Sequence, residues 1–274
     1  MTRALRQVPL YSFVILVYMF LFVPIVLVIA NSVNGDANMA EWGGLTTRWF
    51  KQMFEDDVVL EAIRNSLLIA TATTAISTAT GTLAAIGLRR AGWTVRAVTN
   101  ASTYSRLLMP ELVLVVGLLV TFQAVNWPRG FGTVVVGHAS LYTAYVIMIV
   151  SARLARRDPY IEEAARDLGA TAARALIRVT LPEAMPAILT ASLLVFAFSM
   201  DNVITSLFLS SDLNTLPLVL FSLMRTKITP EVNAIATFMI ALSTLVILLG
   251  LSAYYWLRSA RRRRSMGRDQ GIRS

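Results

Sequence analysis

Two acidic residues lie inside long apolar stretches of the sequence, and their carboxylates are the groups best placed to do chemistry. Glu111 stands in "MPELVLVVGLL" and Asp201 in "FSMDNVITSLF". A carboxylate inside a bilayer costs at least about 2.5–3.5 kcal/mol, so it usually faces a protein interior or a water-filled path. Each group is therefore suited either to offsetting the charge of a cation or to a structural hydrogen bond.

The residues around Asp201 favour a polar path. On a continuous helix of about 3.6 residues per turn, half of the circumference collects polar side chains. These are Ser192, Ser199, Asp201, Asn202, Thr205 and Ser206. Such a face is able to line a wet cavity. The helical rise places Asp201 well toward the outer leaflet and Glu111 nearer the middle, so we do not expect the two carboxylates to act together.

The composition requires a membrane. The 274-residue chain is 56% hydrophobic and 15% charged, with a mean hydropathy of +0.63, which is typical of multi-span membrane proteins. The net charge of +9 fits arginines gathered on cytoplasmic loops better than nucleic-acid binding, because no basic patch alternates with stacking aromatics. The sequence has no cysteine, which excludes disulfides and thiolate metal sites.

Six apolar stretches approach or exceed the roughly 20 residues that cross a bilayer. They are 8–30, 66–88, 102–125, 133–151, 185–209 and 232–257. The sequence therefore predicts an all-α membrane protein with six transmembrane helices and both termini on one side. A cleaved signal peptide at residues 1–30 is an alternative, although this stretch is longer than the usual apolar region of such a peptide.

The distribution of Arg and Lys sets the orientation. Nineteen of the 25 basic residues, Arg106 among them, fall on the side of the termini and six on the other side. The termini are therefore cytoplasmic. We expect the domain division to be a first helix at 1–30, an extracytoplasmic loop at 31–64, a five-helix core at 65–258 and a basic tail at 259–274 that is disordered. The second half of the loop has a helical rhythm and is expected to lie along the membrane surface.

A soluble-looking hairpin interrupts the core at residues 158–183. Asp158 and Pro159 form a helix start signal, and Gly169 is placed as a C-terminal glycine. A second short helix is expected at about 171–179, and Pro182 is expected to close the segment and redirect the chain. An organised loop of this kind is suited to docking another protein. An amphipathic helix lying on the membrane is the alternative.

This hairpin resembles the EAA loop of binding-protein-dependent ABC importer permeases. The pattern comprises Glu163, Ala164, Ala165, Gly169, Val179, Leu181 and Pro182. The family often has isoleucine where Val179 stands. The resemblance implies the type I ABC importer permease (MetI-like) fold, in which the hairpin seats in a groove on an ATPase subunit. It also implies a sister permease forming a heterodimer, two copies of a cytoplasmic ATP-binding subunit, an extracytoplasmic substrate-binding protein and an inner-membrane location.

Further segments resemble the spermidine/putrescine branch of that family, including "WGGLTTRWF" and "LPLVLFSLMRTKITPEVNAIAT". The implied cargo is a polyamine, whose ammonium groups suit carboxylates and aromatic rings. The candidate path residues are Asp201, Glu111, Asn202, Ser199, Phe198 and Thr205, with Phe122 and Phe208 as further aromatics. No phosphate-binding glycine loop, nucleophile–base pair or metal cluster occurs, so we expect no ATP hydrolysis and no cofactor.

Three other functions remain open on the sequence. The same machinery could import another small amine, an amino acid or a metal complex. A proton-coupled secondary transporter would use Asp201 and Glu111 as relays, but it predicts inverted repeats that are not evident. A membrane anchor would leave the polar face around Asp201 unexplained. Pro110 allows either a broken helix or a kink, and we favour the kink. His138 is expected to be an interfacial residue rather than a ligand.

Overall fold

The computed structural model describes residues 2–156, 160–226 and 229–270, with side chains described between 11 and 256. Within these ranges the chain is a bundle of helices with one isolated β-bridge, Asn34 to Leu45. The helices are α1 (Thr2–Asn31), α2 (Arg48–Glu55), α3 (Asp57–Arg90), α4 (Trp93–Leu108), α5 (Glu111–Ala124), α6 (Phe131–Ala155), α7 (Tyr160–Asp167), α8 (Ala172–Ala175), α9 (Leu181–Met200), α10 (Ile204–Leu209), α11 (Leu216–Thr226) and α12 (Pro230–Gln270).

The core of the bundle is the packing of α3, α6 and α9. Its largest cluster includes Val146, Val150 and Val195, all fully buried. Small residues let these helices approach closely in lipid, and Gly81 of α3 is one of them. A Cβ added at Gly81 would lie 2.6 Å from Val146 Cβ, so only glycine fits this crossing. The prediction that residues 66–88 form a packing helix is confirmed.

The third predicted span is not one helix. α4 and α5 meet at an angle of 111°, so the expectation of a kink at Pro110 is wrong and a break is found. The reason lies before the proline: Met109 is extended, with ψ of 138°, as a residue preceding proline prefers. The break places Glu111 in the first turn of α5.

The fifth predicted span differs at both ends. The chain is helical without interruption over Ala172–Met200, and it breaks after Met200 before α10 begins. Pro182 therefore does not redirect the chain. Residues 176–180 form a π-helical turn in which the Leu181 N–H bonds the Leu176 carbonyl five residues back. We attribute the tolerance of Pro182 to this widened turn and to its place in the first turn of α9.

The loop at 31–64, which the sequence predicts to be extracytoplasmic, is folded onto the protein. The side chain of Asp36 accepts hydrogen bonds from the backbone N–H groups of Asn38, Ala40 and Glu41, which lower its pKa below the ordinary value. The predicted helix is α2, and it packs on α3 and α12. Trp49 and Met53 of α2 are buried.

The first and last helices pack against each other at the edge of the bundle. Between Tyr11 and Ala30 no residue of α1 is buried, so α1 presents its apolar side chains around most of its circumference. α12 continues to Gln270, so the predicted disorder of the tail is wrong as far as that residue.

Candidate functional site

The break between α9 and α10 brings Glu111 to the polar residues of the fifth span. Asn202 Nδ2 donates to Glu111 Oε1, and Thr205 Oγ1 donates to the same oxygen at 3.1 Å. The Asn202 side-chain oxygen accepts from the Thr205 N–H at 2.8 Å, which helps to begin α10. Asp201 is exposed at the end of α9, beside this network. The expectation that the two carboxylates lie at different depths is therefore wrong, because the broken helices bring Glu111 up to Asn202.

Tyr142 of α6 joins the network. Asn202 Nδ2 donates to the Tyr142 hydroxyl at 2.8 Å, and this hydroxyl donates to the Phe198 carbonyl at 3.1 Å. That carbonyl lies in the last turn of α9, so Tyr142 links the helix end to the break. Across the side chains that the structure describes, no Arg or Lys forms an ion pair with Glu111. The carboxylate is held by neutral donors.

Three aromatic rings lie beside the network. The ring of Phe198 lies 5.8 Å from that of Tyr142 and 5.3 Å from that of Tyr145, measured between centroids. Phe198 is 37% exposed, whereas Tyr142 is buried. Aromatic faces attract cations, so the cluster offers a surface for an ammonium group next to a carboxylate.

The other aromatic candidates do not reach this cluster. Phe122 is buried and stacks edge-to-face on Trp127 at 5.4 Å, and Phe208 packs partly buried against the main core. His138 is also buried, 1% exposed, rather than interfacial. Its Nδ1 lies 2.8 Å from Ser199 Oγ, which places Ser199 in the packing of α6 on α9.

The predicted wet polar face is mostly packed against protein. The buried members are Ser199, Asn202, Thr205 and Ser206. The prediction assumed a continuous helix, and the break after Met200 changes which way these side chains face. Polar groups in lipid find hydrogen-bond partners on neighbouring helices, and here α5 and α6 provide them.

Gly137 of α6 keeps α10 close. A Cβ at this position would lie 2.7 Å from Leu209 Cδ1 and 2.8 Å from Thr205 Cγ2, both on α10. The glycine therefore permits the contact that sets Thr205 against Glu111.

Arg106 lies deeper than predicted. Its Nη2 donates to Ser140 Oγ at 2.7 Å, and it lines an open cavity of about 610 Å³ with the hydroxyl residues Thr80 and Thr143. Ser140 follows Phe131, the first residue of α6, by nine positions, or about 14 Å along the axis. Counting Arg106 as cytoplasmic was therefore wrong. Removing it leaves 18 basic residues against six, so the count still favours cytoplasmic termini.

The hairpin begins with α7 and turns at Gly169, as predicted. Gly169 has φ of +86°, its N–H bonds the Arg166 carbonyl at 2.8 Å, and the Ala170 N–H bonds the Ala165 carbonyl at 3.0 Å. This pair of bonds is the Schellman motif, which ends a helix on a left-handed glycine. The predicted start signal at Asp158 and Pro159 lies outside the described residues.

The hairpin presents an exposed surface that mixes charge and apolar groups. Glu163, Ala164 and Gly169 are exposed and Ala165 is half-buried. Leu168 is 90% exposed and Ile177 is 62% exposed. The rest of the predicted loop set lies at the foot of α9, with Val179 and Leu181 half-buried and Pro182 exposed.

Glu162, an acidic residue of the first turn of α7 that is not part of the predicted loop pattern, anchors the hairpin to the bundle. Its carboxylate forms ion pairs with Arg89 (3.5 Å) and Arg90 at the end of α3, and it accepts from Thr180 Oγ1 at 3.2 Å. Tyr142, Tyr145 and Arg106 were missed as site residues, because no local pattern connects them with their partners. Their only signal was polar side chains inside apolar stretches.

Comparisons with known proteins identify the family to which this chain is related. Residues 77–264 match the family described as "Binding-protein-dependent transport system inner membrane component". The chain is 35% identical to the spermidine/putrescine transport system permease protein PotC of Haemophilus influenzae over 239 residues, which covers 87% of this chain and 93% of the relative. It is also 35% identical to the putrescine transport system permease protein PotI of Escherichia coli K12 over 257 residues, 90% of each chain.

Among solved structures, a chain of a bacterial ABC transporter that imports the acidic polysaccharide alginate superimposes with a TM-score of 0.72 at 14% identity. The superposition covers 92% of this chain and 96% of that one. The predicted fold class, the type I ABC importer permease fold, is thereby confirmed. The chain is a multi-pass membrane protein, and it belongs to the family of inner-membrane components of binding-protein-dependent transport systems.

Proposed function

We propose that this chain is a permease subunit of an ATP-driven importer of polyamines such as spermidine and putrescine. The observation that carries the proposal is the carboxylate of Glu111, held by neutral donors beside the rings of Tyr142 and Phe198. A carboxylate whose charge is not matched within the described chain can offset an ammonium group, and the rings accommodate the alkyl stem. The cargo named for the two relatives fits this chemistry.

The proposed site is the segment from Phe198 to Thr205 together with Glu111, Tyr142 and the exposed carboxylate of Asp201. A sister permease completes the path, since one five-helix core, residues 65–258, leaves Asp201 open to one side. A polyamine carries several ammonium groups, so two carboxylates close together suit it better than one. Selection by an extracytoplasmic binding protein would precede this step.

The hairpin at 158–183 docks a cytoplasmic ATPase subunit, of which the assembled importer has two copies. Exposed Leu168 and Ile177 supply apolar contact, and Ala164 lets a partner surface approach closely. Glu163 is exposed next to Ala164 on α7 and supplies a charge that fixes the register. ATP hydrolysis thus resides in the partner subunit.

The test of the cargo is uptake of radiolabelled spermidine and putrescine by cells that express the chain with its neighbouring genes. We expect Glu111→Gln to lower the initial uptake rate at least about tenfold, because the amide no longer offsets the charge of the ammonium group. A tenfold change in rate corresponds to about 1.4 kcal/mol. The matched control is Glu61→Gln, which changes an exposed carboxylate on the outer part of α3. Absence of uptake by the unmutated complex, or equal rates for the two variants, would refute the polyamine assignment.

The docking role is tested separately with Glu163→Arg. We expect the ATPase subunit to be lost from the purified complex while the permease remains in the membrane, because reversed charge opposes the partner surface. Retention of the ATPase at the unmutated level, with normal uptake, would show that Glu163 does not take part in docking.

A further inference from the structure

The carboxylate of Glu162 connects three separate elements of the cytoplasmic face. It belongs to α7, it pairs with Arg89 and Arg90 at the end of α3, and it accepts from Thr180 in the π-helical turn. Thr180 directly precedes α9. One side chain thus ties the hairpin to two of the three helices that form the core.

The two carboxylate oxygens divide this work. Oε1 accepts from Arg90 Nη2, whereas Oε2 lies 3.5 Å from Arg89 Nη1 and accepts from Thr180 Oγ1 at 3.2 Å. Charge-assisted hydrogen bonds of this kind are stronger than neutral ones, and a networked pair holds geometry better than a single exposed pair. The Glu162 side chain is only 14% exposed, so water competes weakly for it.

The carboxyl group of Glu162 is ionised at neutral pH. Burial alone would raise the pKa of its carboxyl group, but the hydrogen bonds from Arg90 and Thr180 and the charges of Arg90 and Arg89 outweigh burial and lower the pKa. The neighbouring acidic residues of α7 differ: Glu163 and Asp167 are exposed, and neither forms an ion pair among the residues that the structure describes.

We infer that Glu162 is the positioning residue that makes the hairpin move with α3 and α9 as one body when a docked ATPase displaces it. The inference rests on the proposed docking role of the hairpin. The hairpin's covalent connection to α9 passes through α8 and the π-helical turn, while the ion pairs that join it to α3 among the described residues are those of this carboxylate. Without it, α7 would follow the ATPase and α3 would not.

The first test needs no cargo. It asks whether the bonds of Glu162 to Arg89, Arg90 and Thr180, together called the latch, hold α7 in place. Hydrogen–deuterium exchange of the α7 backbone N–H groups is measured in the nucleotide-free assembled complex in lipid nanodiscs. We expect Glu162→Gln to speed exchange about tenfold, because the amide cannot form the ion pairs. The control Asp167→Asn removes an exposed acid from the same helix and should leave exchange unchanged. Equal protection of α7 in both variants would overturn the latch.

The second test asks whether the latch transmits motion. ATP hydrolysed per cargo molecule imported is measured for the same complexes in proteoliposomes. We expect Glu162→Gln to raise this ratio at least threefold at an unchanged amount of assembled complex, and Arg90→Lys, which keeps the charge, to raise it less. A constant ratio, with uptake falling only as assembly falls, would show a merely structural residue and reject the inference. If the unmutated complex imports no polyamine, the proposed cargo fails, and the exchange comparison still decides the latch.

Discussion

Glu111 and Glu162 are both partly buried glutamates that accept several hydrogen bonds, but they differ in the charge of their donors. Glu162 faces two arginines and a threonine. Glu111 faces an asparagine and a threonine, with no cation paired to it among the described residues. The protein therefore neutralises the carboxylate of Glu162, whereas it orients the carboxylate of Glu111 without neutralising its charge.

This difference separates a structural carboxylate from one available to a cargo. A buried charge needs a partner, because leaving it unpaired costs several kcal/mol. At Glu162 the chain itself supplies the partner and thereby fixes the position of α7. At Glu111 the chain supplies only hydrogen bonds, and in the proposed function a passing ammonium group would complete the pairing and then leave without breaking an internal ion pair.

Charge reversal at Glu111 should have the largest effect. Glu111→Lys places a cation where the cargo's ammonium passes, and repulsion at about 6 Å with an effective dielectric of about 20 is about 2.8 kcal/mol, or roughly 100-fold in rate. Initial uptake of labelled putrescine, normalised to assembled complex, measures it. Glu61→Lys is the control and should stay within about twofold. Uptake by Glu111→Lys within that same margin would abolish the distinction between the two glutamates.

A change at the hairpin turn should have the next largest effect. Gly169 has φ of +86°, whereas Gly92 has φ of −63°, and a Cβ added at either glycine would meet only open space. Gly169→Val forces a β-branched residue into the left-handed region at a cost of about 1–2 kcal/mol, so the hairpin should reorient and uptake fall about tenfold. Gly92→Val should be near neutral. Copurification of the ATPase subunit and uptake are measured together, and equal behaviour of the two variants would contradict the role of this turn.

Removing the Tyr142 hydroxyl sharpens the comparison, because it weakens the neutral network and leaves the charge of Glu111 in place. Tyr142→Phe loses the bonds to Asn202 and to the Phe198 carbonyl, worth about 1 kcal/mol net. We expect a roughly fivefold rise in the cargo concentration for half-maximal uptake. The exposed Tyr255→Phe is the control. An unchanged half-maximal concentration would show that Tyr142 does not position the site.

The smallest effect is expected when the pH is changed, and it concerns the protection of α7 that Glu162 provides. Its pKa is lowered from the ordinary value of 4.5, so its stabilisation is fully present above that value and is lost as pH falls through the lower folded pKa. Protection of α7 against hydrogen exchange, corrected for the intrinsic pH dependence, should therefore stay constant from pH 8 to pH 6. A loss of protection within this range would mean that another titrating group holds the hairpin.

Local signals in the sequence predicted local structure well. Gly169 was placed at a helix end because glycine adopts the left-handed conformation most readily, and the turn is found there. Proline was less informative: Pro110 breaks a helix and Pro182 does not. The difference lies in the preceding residue, which is extended at Met109 and helical at Leu181. The extended conformation of Met109 is the one that a residue preceding proline prefers, whereas the widened turn that accommodates Pro182 has no obvious local signature.

The contacts of the site were beyond such signals. Asn202 and Glu111 are 91 positions apart, and the hydrogen bond between them depends on two helix breaks that a continuous helical wheel cannot represent. The same holds for Tyr142, 60 positions from Asn202. The candidate residues were recognised by their polarity inside apolar stretches, whereas their partners followed only from the way in which α5, α6 and α10 pack.

The uninterrupted helix from Ala172 to Met200 has a mechanical consequence. Its 29 residues span about 43 Å, from the foot of the hairpin to the carboxylate network. Such a rod is a lever: tilting it by roughly 5° about its cytoplasmic end sweeps its far end through about 4 Å. That displacement exceeds the length of a hydrogen bond, so a small swing at the ATPase would be enough to part Asn202 from Glu111 and free the carboxylate.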